Sequence, residues 1–370
     1  MANTVIAAGH ICLDITPVFP AGTQQEISEL LRPGKLINTD AAQVHTGGSA
    51  ANTGLALKLL GNEVRLLGKI GKDSFGGMVK ALTEKYGVGG LIEDAGSATS
   101  YSVVLAIPGN DRIFLHCTGA NDSFSAADIP EAALDDAVLF HFGYPPLMKR
   151  MYSDGGRELE AMLRRVREHG IATSLDMAAV DPSSEAGQAD WQEILSRVLP
   201  YVDIFVPSFE ELCFMLDKPR FERLDRGGDM TEGLKLEEEA LPLAAKALSM
   251  GCRAVLIKCG AAGMVYKTAD KEKMLNVGAR LAIDADAWAD KEGIQPCFVP
   301  ECVRSATGAG DASIAAYLTA VLRGYTPKEC AELAAAEGAC CVTSYDALGG
   351  LVPIEELKAR IDGGWETAGG

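Results

Sequence analysis

Three observations predict an α/β fold built on a mostly parallel sheet. Short apolar runs alternate along the chain with helical patterns, and polar or Gly-rich segments bound each run. The composition is globular, with 48% hydrophobic and 23% charged residues in 370. That apolar content is too high and too evenly spread for disorder over most of the chain. The length accommodates one large α/β domain or two smaller ones.

The expected strands cover residues 4–8, 64–67, 137–142, 171–175, 202–206 and 254–258. Between them the spacing predicts helices over 50–60, 156–169, 190–199 and 237–250. A last, Ala-rich helix over 310–322 carries Ile314, Leu318 and Val321 at intervals that suit one buried face. Two segments depart from this alternation. Residues 15–45 hold no long helix. Residues 98–118 read as two extended runs, SYSVVLAI and RIFLHC, around a turn at Pro108-Gly109-Asn110-Asp111. Together they form a small β-rich piece attached to the α/β body. Residues 220–239 and 284–296 read as solvated surface excursions.

Charge excludes some functions. The formal net charge of −17 opposes sequence-independent binding of nucleic acid, while a local anion site built from backbone N–H groups stays compatible with it. No polybasic tract suggests an anionic membrane surface. The most apolar stretch, 254–266, contains Lys258 and is too short to span a bilayer. The N-terminal run lacks a preceding Lys or Arg and ends at Asp14, unlike a signal peptide. Ten irregularly placed cysteines without a CxxC pair read as reduced thiols, so a cytoplasmic location is expected.

Chemistry concentrates in two Gly-rich segments. Ala306-Thr307-Gly308-Ala309-Gly310-Asp311 lies directly before the Ala-rich helix, where converging N–H groups and the helix dipole favour an anion. A carboxylate there would repel a phosphate as a ligand. It suits a base taking the proton from a hydroxyl that attacks phosphorus. An ordinary helix start with Asp in its first turn uses the same residues. His45 to Gly54 also precedes a helix, with Gly47-Gly48 permitting close approach and Asn52 offering a donor and an acceptor to a polyol. Asp14, after the first strand, reads as a sugar-hydroxyl acceptor or a turn residue. There is no GxxxxGK[ST] and no GxGxxG after the first strand, which disfavours P-loop and dinucleotide chemistry. Histidines 10, 45, 116, 141 and 169 show no metal-ligand spacing, so no zinc is assigned.

The order and spacing of these motifs resemble the ribokinase/PfkB family of carbohydrate and nucleoside kinases. Its GG-x-x-x-N segment is matched by Gly47-Gly48-Ser49-Ala50-Ala51-Asn52. Its D-T-x-G-A-G-D segment is matched by Ser305-Ala306-Thr307-Gly308-Ala309-Gly310-Asp311. The likeness extends over Gly9 to Asp14, over Gly68 to Gly76 and over Lys258-Cys259-Gly260-Ala261-Ala262-Gly263, covering nearly the whole chain. It implies a three-layer α/β/α sandwich in one domain, 1–370, with a small β-sheet lid from about 15–45 and 98–118. By resemblance Asp311 is the catalytic base and Gly308, Ala309 and Gly310 form the anion hole. Asp14, Gly47, Gly48 and Asn52 bind the sugar. Ser208, Lys258, Gly260, Gly263, Thr307, Gly308, Gly310 and Gly338 surround ATP, and Glu211 serves Mg²⁺. A homodimer through the lid is implied.

Departures from the pattern carry weight. Ser208 replaces the Asn of the family's N-x-x-E motif, and Ser305-Ala306 replace Asp-Thr, which puts monovalent-cation dependence in doubt. The D-x-N-x-R pattern of fructokinases and ketodeoxygluconate kinases reads Asp176-Met177-Ala178-Ala179-Val180, arguing against both specificities. No fixed cation suited to an acidic sugar is identifiable. The leading expectation is an ATP-dependent sugar kinase. A nucleoside kinase of the same family, or a non-catalytic sugar or nucleotide sensor that kept the fold, are the alternatives.

Overall fold

The strands in chain order are β1 (Thr4–Gly9), β2 (Cys12–Val18), β3 (Asp40–Gly47), β4 (Glu63–Leu67), β5 (Lys69–Gly71), β6 (Ile92–Asp94), β7 (Tyr101–Leu105), β8 (Ile113–Cys117), β9 (Ala137–Gly143), β10 (Ala172–Leu175), β11 (Ile204–Phe205), β12 (Ala254–Lys258), β13 (Met264–Thr268) and β14 (Glu292–Gln295). They belong to a computed structural model that describes residues 4–20, 27–107, 113–225 and 228–368, with main chain only at 28 and 29. The turn expected at 108–111 lies outside the described residues.

Eight strands form the main sheet in the order β14-β13-β12-β11-β10-β9-β1-β4. The six from β12 to β4 run parallel, and β13 and β14 complete one edge antiparallel. Parallel strands are buried on both faces, which is why β1 and β9 read as continuous apolar runs. One group of helices, Ser49–Leu59, Ala309–Leu322, Pro327–Cys341 and Ile354–Asp362, packs together. Another, Arg157–Glu168, Trp191–Val198, Phe209–Leu216 and Leu236–Ser249, also packs among its own members. With the sheet these make the three layers. One continuous core, from Val5 in β1 to Leu357 in the last helix, joins them. Each fully buried Leu, Ile or Phe there contributes about 1.5–3 kcal/mol relative to exposure.

Two expectations need correction. The Ala309–Leu322 helix is buried from Asp311 through Val321 rather than along one face, because it is wedged between Ser49–Leu59 and Pro327–Cys341. Its small residues allow this approach. Residues 284–296 are no mere surface excursion: they hold β14, and Trp288 is buried with its indole N–H donating to Tyr325 O. This edge strand opens on exposed Glu292, with Asp290 and Lys291 just before it, and these charges masked its pairing. Within 220–239, Met230, Thr231 and Leu236 are likewise buried.

A second, four-stranded sheet has the order β3-β2-β7-β8. His10 and Ile11 carry the chain from β1 in the main sheet to β2 in this one. Ile11, Leu13, Ala50, Ala51, Ile70 and Val79 form a separate small core beneath it. The ten cysteines are unbridged, and among the described residues no helix is long and apolar enough to cross a membrane.

Candidate active site

In parallel α/β sheets the carboxyl ends of the strands point their following residues into one crevice. Here β1 delivers His10, β9 delivers Tyr144, β10 delivers Asp176, β11 delivers Ser208 and β12 ends on Lys258. The Ala309–Leu322 helix starts at the same edge and presents Asp311 in its first turn.

Asp311 is 4% exposed and accepts from three side chains. Thr53 Oγ1 donates to Oδ1 at 3.0 Å, while Asn52 Nδ2 at 3.0 Å and the Tyr144 hydroxyl at 2.9 Å converge on Oδ2. Burial raises the carboxyl's pKa above the ordinary aspartate value; bonds from Asn52 and Tyr144, the charge of Lys258 and the bond from Thr53 oppose it without cancelling it. The Tyr144 phenol is itself pushed up, by burial and then by Asp311, and so remains a donor. Tyr144 holds a left-handed backbone at φ 62°, which turns the chain sharply after Gly143 and aims the ring at Asp311.

The loop before Asp311 is half-buried at residues 307–310. Gly308 caps the helix at φ +75°, and a Cβ there would overlap Ala347. The Ala309 N–H makes only a long bond, 3.3 Å, to Ala306 O. Thr307 Oγ1 is buried with no partner among the described residues.

Lys258 Nζ donates to Asp176 Oδ1 at 2.7 Å and to Val206 O at 2.6 Å. A Cβ on Gly310 would lie 3.6 Å from Lys258 Cε, so the lysine stem runs along the Gly-rich loop. Burial alone would lower the Lys258 pKa, but Asp176, Glu211 and Asp311 around it outweigh that and hold it above the usual lysine value. Asp176 is 2% exposed, and burial pushes its carboxyl up against the pull of Lys258. Ser208 and Glu211 make a reciprocal capping box: Glu211 Oε2 accepts the Ser208 N–H at 2.7 Å, and Ser208 Oγ accepts the Glu211 N–H at 3.3 Å.

On the other side, Gly47 lies flat on Asp14, whose carboxylate a Cβ would overlap. Gly48, at φ +85°, caps the Ser49–Leu59 helix, and a Cβ there would lie 2.6 Å from His10 Nδ1. Burial raises the Asp14 pKa, partly offset by Cys12 and Ser102 as hydrogen-bond partners.

The structure therefore brings Asn52 directly onto Asp311, and Gly47 and Gly48 between Asp14 and His10. Lys258 lies beside Gly310. The remaining glycines have packing partners of their own: Gly260 faces Thr231, Gly263 abuts Gln295, and Gly338 lets Ser313 approach. Thr53, Tyr144 and Asp176 escaped assignment from sequence, although Asp176 directly follows an expected apolar strand and Tyr144 lies two residues beyond another, which was the available signal.

The family model described as "pfkB family carbohydrate kinase" matches residues 10–353, and the chain belongs to that family. The fold is ribokinase-like. An uncharacterized sugar kinase of Archaeoglobus fulgidus is 24% identical over 302 residues, covering 80% of this chain and 98% of its own. A ribokinase of Arabidopsis thaliana is 24% identical over 330 residues, covering 87% and 74%. The crystal structure of a fructokinase with bound ATP from Xylella fastidiosa superposes with a TM-score of 0.70 at 19% identity, covering 98% of this chain and 99% of the other.

Proposed function

We propose that this protein is an ATP-dependent kinase that phosphorylates a hydroxyl group of a small sugar, with Asp311 as the base. The observation that carries this reading is a buried carboxylate with raised pKa, held by three donors in the first turn of a helix. Asp311 does not cap its own helix: Gly308 is the N-cap, and the carboxylate's bonds go to Asn52, Thr53 and Tyr144 instead. In the reaction the acceptor hydroxyl gives its proton to Asp311 as its oxygen bonds to the γ-phosphorus and the bond to the β-phosphate breaks, releasing ADP. Donors on both carboxylate oxygens fix its orientation, which a base needs for a short transfer.

The residues present fit a nucleoside triphosphate. The 14-residue helix beginning at Ala309 offers N-terminal N–H groups, Thr307 Oγ1 lacks a protein partner, and Lys258 lies alongside Gly310. Gly308, Ala309 and Gly310 would carry the charge of the transferring phosphoryl group. Mg²⁺, held largely through phosphates and water, would neutralise charge between the phosphates; Glu211 is the carboxylate we assign to its surroundings. Asp14, Gly47, Gly48 and Asn52 form the acceptor side, and the second sheet serves as a lid on a single-domain body.

We further assign a homodimer through that lid. Its edge strands β3 and β8 expose Val44, Phe114 and Leu115, the latter two at 56% each, and a second copy of the chain would cover them. The deciding experiment is an ADP-release assay with Mg-ATP against hexoses, pentoses, ketoses, sugar alcohols, sugar phosphates and nucleosides. Turnover on one acceptor class, lost in Asp311→Asn, is expected. Silence across the whole panel would refute the kinase reading.

A further inference from the structure

Behind Asp311 lies a run of buried polar side chains. Ser49 and Thr53 stand on the Ser49–Leu59 helix, His141 belongs to β9 and Ser174 to β10, and all four are fully buried. His141 and Ser174 are partners across the β9–β10 pairing, so their side chains share one face of the sheet. Ser174 Oγ is 3.0 Å from His141 Nδ1. His141 Nε2 is 3.5 Å from Ser49 Oγ, and Ser49 Oγ is 3.5 Å from Thr53 Oγ1. Thr53 then donates to Asp311 Oδ1 at 3.0 Å. Gly143 makes this approach possible, since a Cβ there would lie 1.8 Å from Ser49 Oγ. Polar groups buried together in this way must satisfy one another.

Counting hydrogens fixes the direction of every bond. An ionised carboxylate only accepts, so the single Thr53 hydroxyl proton is committed to Oδ1. The Ser49–Thr53 contact then needs Ser49 as donor, and the His141–Ser49 contact needs Nε2–H as donor. Burial, with the charge of Lys258, pushes the His141 pKa down to about 3, so the ring is neutral and Nδ1 accepts from Ser174. The two central contacts are long, so what passes along them is the choice of donor rather than bond strength. At the far end, Oδ2 of Asp311 already accepts from Asn52 and Tyr144, whereas Oδ1 accepts from Thr53 alone among the described residues. Oδ1 therefore keeps a lone pair open for a proton.

From this geometry we infer that His141 is a positioning residue for Asp311. With its proton on Nε2 it polarises the one-way chain Ser174–His141–Ser49–Thr53, which keeps Thr53 donating to Oδ1, the oxygen that takes the acceptor's proton. The inference rests on the kinase reading above and deepens it by assigning the support of its base. Thr53 has two acceptors within reach, Asp311 and Ser49. While His141 donates into Ser49, the Ser49 hydroxyl points at Thr53 and closes the second choice. A donor held on Oδ1 favours the carboxylate over the acid. The opposite polarity requires His141 to carry its proton on Nδ1, with Ser174 accepting, and it suits a group at position 311 that donates. Asp311→Asn supplies such a group, because its NH₂ faces Thr53 when the amide oxygen takes the place of Oδ2.

The first test reads the ring itself by NMR of the imidazole nitrogens. His141 is one of five histidines, and its signals are assigned by their loss in His141→Gln. Wild type should carry the proton on Nε2, and Asp311→Asn should carry it on Nδ1. A histidine that only fills space would not change tautomer. A wild-type proton on Nδ1 overturns the inference, as does an unchanged tautomer in folded Asp311→Asn. The second test is the pH profile of kcat/KM. The ionisable groups acting on or acted on by Asp311 include Tyr144, Lys258, Asp176 and Cys341, and Lys258 also acts on His141; the variants leave all of them in place. His141→Phe cannot donate to Ser49, so the Thr53 proton is shared between Ser49 and Asp311. The acidic limb should rise by about 0.5–1 pH unit. Adding Ser49→Ala removes the rival acceptor and should return the limb to its wild-type position. An unmoved limb in folded His141→Phe overturns the inference, and so does a limb that Ser49→Ala does not bring back. If no acceptor supports turnover, the kinase reading fails separately. In that case, or if His141→Phe does not fold, the tautomer comparison decides alone.

Discussion

Replacing Asp311 with Asn separates its chemical role from its structural one, because the surrounding donors accommodate the amide. The amide oxygen can take the place of Oδ2 and accept from Asn52 Nδ2 and Tyr144. The amide NH₂ then faces Thr53, whose hydroxyl can rotate to accept where it now donates. No buried donor is stranded, so the stability change should stay within about 1 kcal/mol. With Asp311 as the proposed base, the group that takes the proton is then gone, and the rate should fall by about 10²–10⁴-fold. Asp311→Ala behaves differently. It leaves three donors without an acceptor, at about 1–3 kcal/mol each, and should be both inactive and several kcal/mol less stable. ADP release at saturating Mg-ATP, paired with urea unfolding of each variant, measures both effects. Asp311→Asn with more than a tenth of the wild-type kcat would refute the assignment of Asp311 as base. A large stability loss in that variant would refute the hydrogen-bond argument.

Other perturbations follow from the same contacts. Lys258→Met leaves Asp176 buried without its cation and should cost about 3–5 kcal/mol in urea unfolding, with Asp176→Asn in the same chain restoring part of it. Glu337 is fully buried with one oxygen unpartnered, and burial pushes its carboxyl up to about 8. The folded state then binds the proton more tightly than the unfolded chain. Its contribution is complete below pH 4.5 and is lost as pH rises to about 8, at about 1.36 kcal/mol per pH unit, or on the order of 5 kcal/mol. Glu337→Gln should flatten that part of the stability–pH curve, and an unchanged slope would show that Glu337 does not titrate there. Gly308→Ala meets both a positive φ and Ala347, and should lower ATP affinity at least about tenfold with a reduced Tm; unchanged ATP titration would oppose the anion-hole assignment. The double variant Phe114→Asp, Leu115→Asp should elute as a monomer in size-exclusion chromatography while the wild type elutes as a dimer, and identical elution would remove the lid-to-lid contact.

The arrangement of strands and helices was legible wherever burial was uniform. β1, β9 and β12 are apolar runs flanked by polar breaks, and parallel strands covered on both faces leave that trace in composition. The edge strand β14 left none, since its outer side carries charge. The two Gly-rich helix starts were also visible, because close approach and positive φ restrict the residue type at the position itself. Local rules could not show that Asn52 and Asp311, far apart in sequence, meet in one hydrogen bond. Nor could they show that the Ala-rich helix is buried all round, since its small residues fit a one-sided helix equally well.

By itself, the sequence determined the class of fold, the order of its motifs and the identity of a carboxylate placed after a Gly-rich loop at a helix start. These depend on neighbours in the chain: periodicity, turn chemistry and helix starts. Only the tertiary structure decided what surrounds that carboxylate. Tyr144, Thr53 and Lys258 arrive from separate strand ends and helices, and the chain from Ser174 to Thr53 exists only through pairing of β9 with β10 and contact of β9 with the Ser49–Leu59 helix. A charge environment is a sum over groups close in space, and sequence distance does not report that proximity.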